Sequence, residues 1–280
     1  MTYRTLVVHL DSGSRCAARV ELAASLAKAH GSHLVGVVGT GVPDVVLTLN
    51  SAVPDSFDLV SLSAGYLRSR AEAAAAAFEA QARSLGVASF ESRVLEEEAV
   101  DAIVGQARTS DLVVLGQADK AEPVEGVARD CPQQVLMNVG TPVLIVPFAG
   151  SFAAAGRTVL VPWKDTRETA RAVRDALPLL RGAERVTLLE IDERAGETSG
   201  ATASLREACR WLERHGIAAE ARSEPSGVDV GDVILSRACD FSADLVVMGA
   251  YGHSRAREWM LGGATRHLLD HMTLPTLMSR

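Results

Sequence analysis

An internal duplication constrains the fold of this chain more than any other feature of its sequence. Residues 111–116 read DLVVLG and residues 244–249 read DLVVMG, an offset of 133 residues. Near the start of each copy, TLVV at residues 5–8 matches TVLV at residues 158–161, an offset of 153 residues. A chain of 280 residues has room for two domains of ordinary size. The sequence therefore predicts two tandem copies of one domain.

The predicted domains span residues 1–148 and 156–280, and a linker of small residues separates them. Most of the difference between the two offsets arises in one place. Leu34 and Val186 are 152 residues apart, whereas Gly86 and Gly216 are only 130 apart, so the first copy carries 22 extra residues between Gly39 and Gly86. We interpret this insertion as a loop.

Within each copy, short apolar runs rich in β-branched residues alternate with amphipathic, alanine-rich runs. Alternating strands and helices predict parallel pairing with right-handed crossovers, and hence an α/β fold of two tandem doubly wound sheets of five strands each. Predicted strands lie near residues 5–10, 33–38, 88–94, 112–116, 143–147, 157–163, 185–191, 218–224, 244–249 and 275–279. Predicted helices lie near residues 14–30, 63–85, 98–109, 131–139, 167–181, 201–215, 230–241 and 262–271.

Composition excludes several classes of partner. The formal net charge of −7 and the pI near 5.5 argue against nonspecific binding to nucleic acid or to an anionic membrane. We find no leader-like segment at the start and no run suited to spanning a membrane, and so expect a cytoplasmic protein. The cysteines are widely spaced in helix-like apolar contexts, which predicts buried core residues rather than disulfides or metal ligands: Cys16, Cys131, Cys209 and Cys239.

A glycine-rich stretch near the end of the second copy is the strongest candidate for a binding site. Gly249 and Gly252 follow a buried strand, and Gly262 and Gly263 stand where an apolar helix begins. Glycine lets the backbone approach a ligand closely, and the unpaired amides of a helix N-terminus attract anions. Ordinary turn chemistry is the alternative reading of the same glycines. The Walker signature is absent, so the stretch is not a P-loop.

This Gly-x2-Gly-x9-Gly spacing, together with PWKDTRE at residues 162–168, resembles the tandem, UspA-like universal stress protein family over both copies. The resemblance implies an adenine-nucleotide alpha-hydrolase-like fold with strand order 3-2-1-4-5. That order would place the ligand where the ends of the first and fourth strands of the copy meet, near Trp163 and Gly249. It also implies that ATP or another adenine nucleotide binds the second copy, with no metal beyond nucleotide-bound Mg²⁺.

Carried over residue by residue, the resemblance implies a nucleotide site in the second copy. Its members are Pro162, Trp163, Lys164, Ile191, Met248, Gly249, Gly252, His253, Gly262, Gly263, Ala264 and Thr265. Lys164 stands where family members have a ribose-binding aspartate, and an ammonium cannot accept a hydrogen bond. Lys164 would therefore either neutralise phosphate or remain a solvated surface lysine. Gly263 replaces the usual serine or threonine, which leaves Thr265 as the candidate hydroxyl donor.

The first copy shows the converse pattern. It keeps Asp11 at the aspartate position, but the 133-residue offset sets Asp119, Arg129 and Asp130 against Gly252, Gly262 and Gly263. Carboxylates at positions of phosphate-binding amides repel an anion. We therefore predict that the first copy does not bind a nucleoside triphosphate.

Three functions remain open. The leading one is a cytoplasmic stress-response or signalling protein that senses adenine nucleotide and contacts a protein partner, which the sequence does not identify. The second is a structural or interaction protein that kept the fold and lost its ligand. The third is slow ATP hydrolysis, although no nucleophile or general base of recognisable spacing indicates an enzyme.

The resemblance also implies how the copies assemble. Family members join domains through their last strands, here near residues 143–147 and 275–279, and strand edges of this kind need partners. We expect an intramolecular pseudo-dimer, which could pair again as a homodimer. His267 and His271, four residues apart, and His253 suggest a metal site only weakly, because paired histidines at this spacing are more often surface or half-buried residues.

Overall fold

The structure is a computed structural model that describes residues 2–41, 57–119, 121–122, 124, 127–192, 202–252 and 263–280. It divides into two compact units, Tyr3–Thr141 and Pro142–Arg280, the latter together with Thr2. Both units contain parallel strands connected through helices, so the predicted α/β fold is confirmed. None of the helices in these ranges is both long and apolar enough to cross a membrane.

Within its described residues, the first unit contains four parallel strands in the order β3-β2-β1-β4. These strands are β1 (Thr5–His9), β2 (His33–Gly39), β3 (Phe90–Leu95) and β4 (Leu112–Gly116). The helices are α1 (Cys16–His30), α2 (Phe57–Ser84), α3 (Ala99–Ala107) and α4 (Cys131–Asn138). Apolar side chains of β1 and β4 are completely covered, which explains why these strands read as uninterrupted apolar runs.

In the part of the second unit that the structure describes, six strands lie in the order β5-β10-β9-β6-β7-β8. They are β5 (Val143–Val146), β6 (Thr158–Trp163), β7 (Arg185–Asp192), β8 (Ala219–Pro225), β9 (Leu245–Gly249) and β10 (Thr276–Ser279). The helices are α5 (Arg167–Asp175), α6 (Leu177–Leu180), α7 (Ala203–Arg214), α8 (Val230–Asp240) and α9 (Gly263–His271). The five strands from the second copy have the predicted order 3-2-1-4-5.

The fifth strand of the first copy, β5, lies in the second unit. It pairs antiparallel with β10, with Leu144 opposite Leu277, so the predicted pairing of the last strands is confirmed. The pairs β10–β9, β9–β6, β6–β7 and β7–β8 are parallel. The domain boundaries at residues 148 and 156 stay a prediction about where each sequence copy begins and ends.

The duplicated aspartate of the DLVV repeats has a structural role in both units. The carboxylate of Asp111 accepts hydrogen bonds from the backbone N–H groups of Arg4 and Thr5, at 2.7 and 2.9 Å. The carboxylate of Asp244 accepts three such bonds from Gly156, Arg157 and Thr158, at 2.9 to 3.1 Å. Each aspartate thus fixes the start of the neighbouring first strand, which pairs with the strand that follows the aspartate.

Two helices differ from the sequence expectation. Helix α2 begins at Phe57, six residues before the predicted start, so part of the insertion is helical rather than loop; residues 42–56 lie outside the described residues. The helix predicted over 167–181 is broken at Ala176 into α5 and α6. Pro178 stands in the first turn of α6, where its missing N–H is tolerated, whereas it could not continue the hydrogen-bond pattern of α5.

The cysteine expectation is partly wrong. All four thiols are free, and Cys131 is buried, where burial raises its pKa to about 12. Cys16 and Cys209 are only half-buried, and Cys239 is exposed. Cys239 lies in the last turn of α8, on the side that faces solvent. The apolar context of Cys239 in the sequence did not predict this exposure.

Candidate functional site

The candidate site lies where the direction of winding reverses in the second unit. Strand β6 pairs with β7 on one side and with β9 on the other, with Val159 opposite Leu245. The chain continues from β6 through β7 to β8 on one side, whereas β9 and β10 lie on the other side. Ligands of doubly wound sheets bind at the carboxyl ends of strands at such a point. The predicted adjacency of β6 and β9 is confirmed.

Gly249, the last residue of β9, allows α5 to pack closely against the end of this strand. A Cβ atom at Gly249 would lie 2.6 Å from both the carbonyl carbon of Glu168 and the backbone nitrogen of Thr169. Neither backbone atom can move independently of the helix. Gly249 is therefore required for packing, whether or not a ligand binds beside it.

Glu168 is a site residue that the sequence reasoning did not single out, although it ends the PWKDTRE segment. It is 5% exposed, and its carboxylate accepts a hydrogen bond from Nε of the exposed Arg167. Burial raises the pKa of Glu168, but the hydrogen bond from Arg167 and one from the backbone outweigh burial and hold this pKa below its usual range. A Cβ atom at Gly252 would lie 3.1 Å from Oε2 of Glu168. A negative charge therefore lies beside a glycine of the predicted phosphate segment.

Tyr251 and Thr265 connect the end of β9 to α9. Tyr251 has a φ of 60°, in the left-handed region that non-glycine residues seldom adopt. Its backbone N–H donates to Oγ1 of Thr265 over 3.4 Å. Thr265 is 4% exposed, so its predicted role as a phosphate donor competes with a structural role at this connection. Burial raises the pKa of Tyr251 to about 12, so its phenol adds no charge to the site.

Helix α9 presents its N-terminus at this edge of the sheet. It begins at Gly263, which is exposed, and a Cβ atom built there meets nothing within 4 Å. Ala264 is half-buried in the same turn. The first backbone N–H groups of a helix lack partners within it, and the helix dipole adds partial positive charge there. The predicted site residues His253 and Gly262 lie outside the described residues.

The remaining predicted site residues lie at or near the ends of strands. Pro162 and Trp163 end β6 and are half-buried, and Nε1 of Trp163 donates to Oγ of Ser204 over 3.2 Å. Ile191 is half-buried near the end of β7, and Lys164 is exposed just after β6. Met248 is 6% exposed and pairs with Met278 in β10, so its side chain belongs to the core.

The corresponding edge of the first unit holds a buried ionic cluster. Nη2 of Arg19 donates to Oδ2 of Asp11 over 2.7 Å, and Nε donates to the carbonyl oxygen of His9 over 2.7 Å. The backbone N–H of Gly13 donates to the other oxygen of Asp11 over 2.9 Å. The guanidinium also occupies the space that a Cβ atom at Gly116 would need. Arg19 therefore fills the edge of the sheet between β1 and β4.

Burial and the guanidinium set the charges of this cluster. Burial is the largest influence on the pKa of Asp11 and raises it, but the charge of Arg19, His9 and the hydrogen bonds lower this pKa below its usual range. Burial, followed by the charge of Arg19, lowers the pKa of His9 to about 4. Asp11 is thus ionised and His9 neutral at pH 7.

Arg19 could have been found from the sequence by comparing the copies pair by pair. The 153-residue offset aligns Asp11 with Lys164 and Arg19 with Ala172. The carboxylate and its arginine partner are therefore replaced together in the second copy. A cavity of about 340 Å³ lies beside the cluster between α1 and α2, and its lining includes Asp11, Ser12, Arg70 and Phe78.

Comparisons with known proteins agree with this fold. Residues 156–280 match the model of the Universal stress protein family. A universal stress protein from Archaeoglobus fulgidus DSM 4304 aligns over 99% of this chain and 96% of its own, with a TM-score of 0.71 and 14% identity. A functionally unknown protein from Pseudomonas aeruginosa PAO1 aligns over 99% of this chain and 92% of its own, with a TM-score of 0.58 and 15% identity.

A shorter universal stress protein from Archaeoglobus fulgidus, solved in complex with dAMP, aligns over 52% of this chain and 98% of its own, with a TM-score of 0.34 and 19% identity. No curated protein sequence matches this chain.

The fold and the position of the site define a class of protein: a duplicated, doubly wound α/β protein whose second unit presents a glycine-rich edge and a helix N-terminus at the reversal of winding. Within that class, residues 156–280 form a universal stress protein domain.

Proposed function

We propose that the second unit binds ATP or another adenine nucleotide, and that the chain acts in the cytoplasm in a stress response or in signalling. The observation that carries this proposal is the exposed N-terminus of α9 at Gly263, whose first turn is joined to the segment after β9 by the hydrogen bond from Tyr251 to Thr265. The amides of this turn would bind phosphate. Universal stress family membership of residues 156–280 supports the nucleotide as the source of that phosphate.

The strand ends would hold the rest of the nucleotide. Trp163 and Ile191 are half-buried at the ends of β6 and β7, where they offer apolar surface to a base. Exposed Lys164 would neutralise phosphate rather than accept a bond from a ribose hydroxyl, because an ammonium has donors only.

The pairing of β5, from the first sequence copy, with β10, from the second, supports an intramolecular pseudo-dimer of the two copies. Sedimentation velocity would test whether the chain pairs again as a homodimer.

Glu168 favours a second candidate function, in which the fold is kept and the ligand is lost. Its ionised carboxylate lies beside Gly252, and a carboxylate in that position repels phosphate. Such a protein would act through its surfaces alone. The two candidates differ in one measurable property, which is whether adenine nucleotide stabilises the second unit.

A thermal-unfolding experiment tests this difference. All three tryptophans lie in the second copy, at Trp163, Trp211 and Trp259, so tryptophan fluorescence follows this unit. Nucleotide at a concentration 100 times its Kd would stabilise the folded state by about 2.7 kcal/mol. We expect ATP with Mg²⁺ to raise the melting temperature more than ADP, and ADP more than AMP.

Two variants at Gly263 test whether the phosphates bind at the N-terminus of α9. Gly263→Asp adds a negative charge to the first turn of α9, which favours the helix but repels phosphate. Gly263→Asn is the neutral control of similar size. We expect the ATP effect to disappear in the aspartate variant and to persist in the asparagine variant. Absence of any nucleotide effect on the unaltered protein would instead support the ligand-free function.

A further inference from the structure

A histidine and two carboxylates from different helices meet in the second unit. Nε2 of His267, in α9, lies 3.0 Å from Oδ1 of Asp232, in α8. Nδ1 of the same ring lies 3.6 Å from Oδ1 of Asp229, which precedes α8. One ligand atom from each of the three residues falls within 4.8 Å of the others. The sequence did not reveal this group, because the carboxylates are more than 30 residues from the histidine.

The group is held in place by its backbone surroundings. The ring of His267 lies against Gly231, where a Cβ atom would come within 2.6 Å of Cγ and Cδ2 of the ring. The backbone N–H of Gly231 donates to Oδ1 of Asp229 over 2.7 Å. Only glycine at this position lets the ring lie so close to the first turn of α8. The histidine is half-buried, whereas Asp229 and Asp232 are exposed and can adjust to an ion.

A neutral imidazole is not satisfied by these two neighbours. It carries one N–H group and one nitrogen with a lone pair, and each nitrogen of His267 faces a carboxylate oxygen. Whichever nitrogen carries the proton, the lone pair of the other points towards negative charge. A cation at that nitrogen removes the repulsion and bonds both groups.

We propose that Asp232 and His267 bind a divalent transition-metal ion, represented by Zn²⁺, with Asp229 completing the site. Imidazole nitrogen and carboxylate oxygen both bind zinc at about 2.0 to 2.2 Å, so two ligand atoms of a tetrahedral site lie about 3.3 to 3.6 Å apart. Nε2 of His267 and Oδ1 of Asp232 are 3.0 Å apart, so a small outward shift of the exposed Asp232 side chain would bring the two atoms to this separation. Asp229 either joins as a third ligand or accepts the Nδ1 proton, as carboxylates beside zinc-bound histidines commonly do.

The site would connect α8 to α9 and does not depend on the proposed nucleotide function. His271, one turn further along α9, lies beside His267, with ring centroids 4.7 Å apart and an interplanar angle of 51°. A metal bound here would stabilise the contact between the two helices by binding the folded state alone.

Isothermal titration of ZnCl2 into the metal-free full-length protein at pH 7 tests the proposal. We expect saturable binding of one ion, and at least a tenfold weaker affinity in each of Asp232→Asn and His267→Ala. Asp240→Asn is the matched control, since it removes the same charge from the other end of α8, where Asp240 pairs with Arg237. Its affinity should stay within twofold of the unaltered protein.

The exposed Cys239 in α8 is the competing zinc ligand, so the titration is repeated with Cys239→Ser. Unchanged affinity in this variant supports the proposal, and loss of binding overturns it. Absence of saturable binding to the unaltered protein, or full binding by Asp232→Asn and His267→Ala, also overturns it. Circular dichroism of each variant without metal checks folding, and Asp232→Asn, at an exposed position, keeps the test decisive if His267→Ala is unstable.

Discussion

Replacing Arg19 by methionine should destabilise the first unit strongly, although methionine keeps most of the aliphatic part of the arginine side chain. Arg19 is 4% exposed, and the Asp11 side chain that it binds is 10% exposed. Arg19→Met removes the guanidinium 2.7 Å from this carboxylate and leaves the charge buried with the N–H of Gly13 as a remaining donor. It also removes the donor to the carbonyl oxygen of His9.

The size of the effect follows from the uncompensated charge. Removing one partner of a buried ion pair costs about 3 to 5 kcal/mol, because the other charge stays in the low-dielectric interior. Replacing both partners removes that penalty. The double variant Asp11→Asn with Arg19→Met should therefore be more stable than Arg19→Met alone by about 1 to 3 kcal/mol. The second copy, with Lys164 and Ala172 at these positions, shows that the same fold forms without the pair.

The assay must follow the first unit separately, because the tryptophans all lie in the second copy. Hydrogen exchange of peptides from β1 and β4, measured by mass spectrometry over a urea series, gives the free energy of unfolding of the first unit. Tryptophan fluorescence in the same samples follows the second unit. A loss below about 1 kcal/mol in Arg19→Met, or equal stability of the single and double variants, would refute the argument that the buried charge dominates.

Two further predictions follow from the same contacts. Gly249→Ala should lower the stability of the second unit by about 1 to 3 kcal/mol, because the added Cβ would overlap the backbone of α5. Gly263→Ala should cost much less, because the space around its Cβ is open. Urea titration followed by tryptophan fluorescence compares the two variants. The first unit should lose stability as the pH falls from about 6.5 to 4, because His9 is protonated near pH 6.5 in the unfolded chain but only near pH 4 in the folded state. This difference in pKa corresponds to a loss of roughly 3 kcal/mol in the free energy of unfolding. Hydrogen exchange of β1 should show a flatter dependence over that window in His9→Gln, and an unchanged slope would contradict the assignment.

The fold was predictable from the sequence because its signals are local and occur twice. The LVV residues of the two DLVV runs lie in strands buried on both faces, and the aspartate that begins each run binds the start of the neighbouring strand. The start of α2 was harder to place. Ser61, Ser63 and Gly65 are weak helix formers, so the local sequence marks the helix start poorly; the helix begins at Phe57 rather than near residue 63.

The candidate site was only partly predictable, because its charges depend on contacts between residues far apart in the sequence. Spacing alone located Gly249, Gly252 and Gly263 near one edge of the sheet. It could not show that Glu168 lies beside Gly252, or that Asp229 and Asp232 face His267. Those juxtapositions are created by the packing of α5 against β9 and of α9 against α8.

The two copies have changed the charge at the same edge of the fold in opposite ways. In the first unit, Arg19 satisfies Asp11 and fills the end of β4, so a phosphate there would have to displace a buried ion pair. In the second unit, both members of that pair are absent, and the edge instead combines the positive end of α9 with the carboxylate of Glu168. Displacing a buried guanidinium costs more than approaching a carboxylate already paired with the exposed Arg167. If either unit binds nucleotide, the electrostatics therefore favour the second.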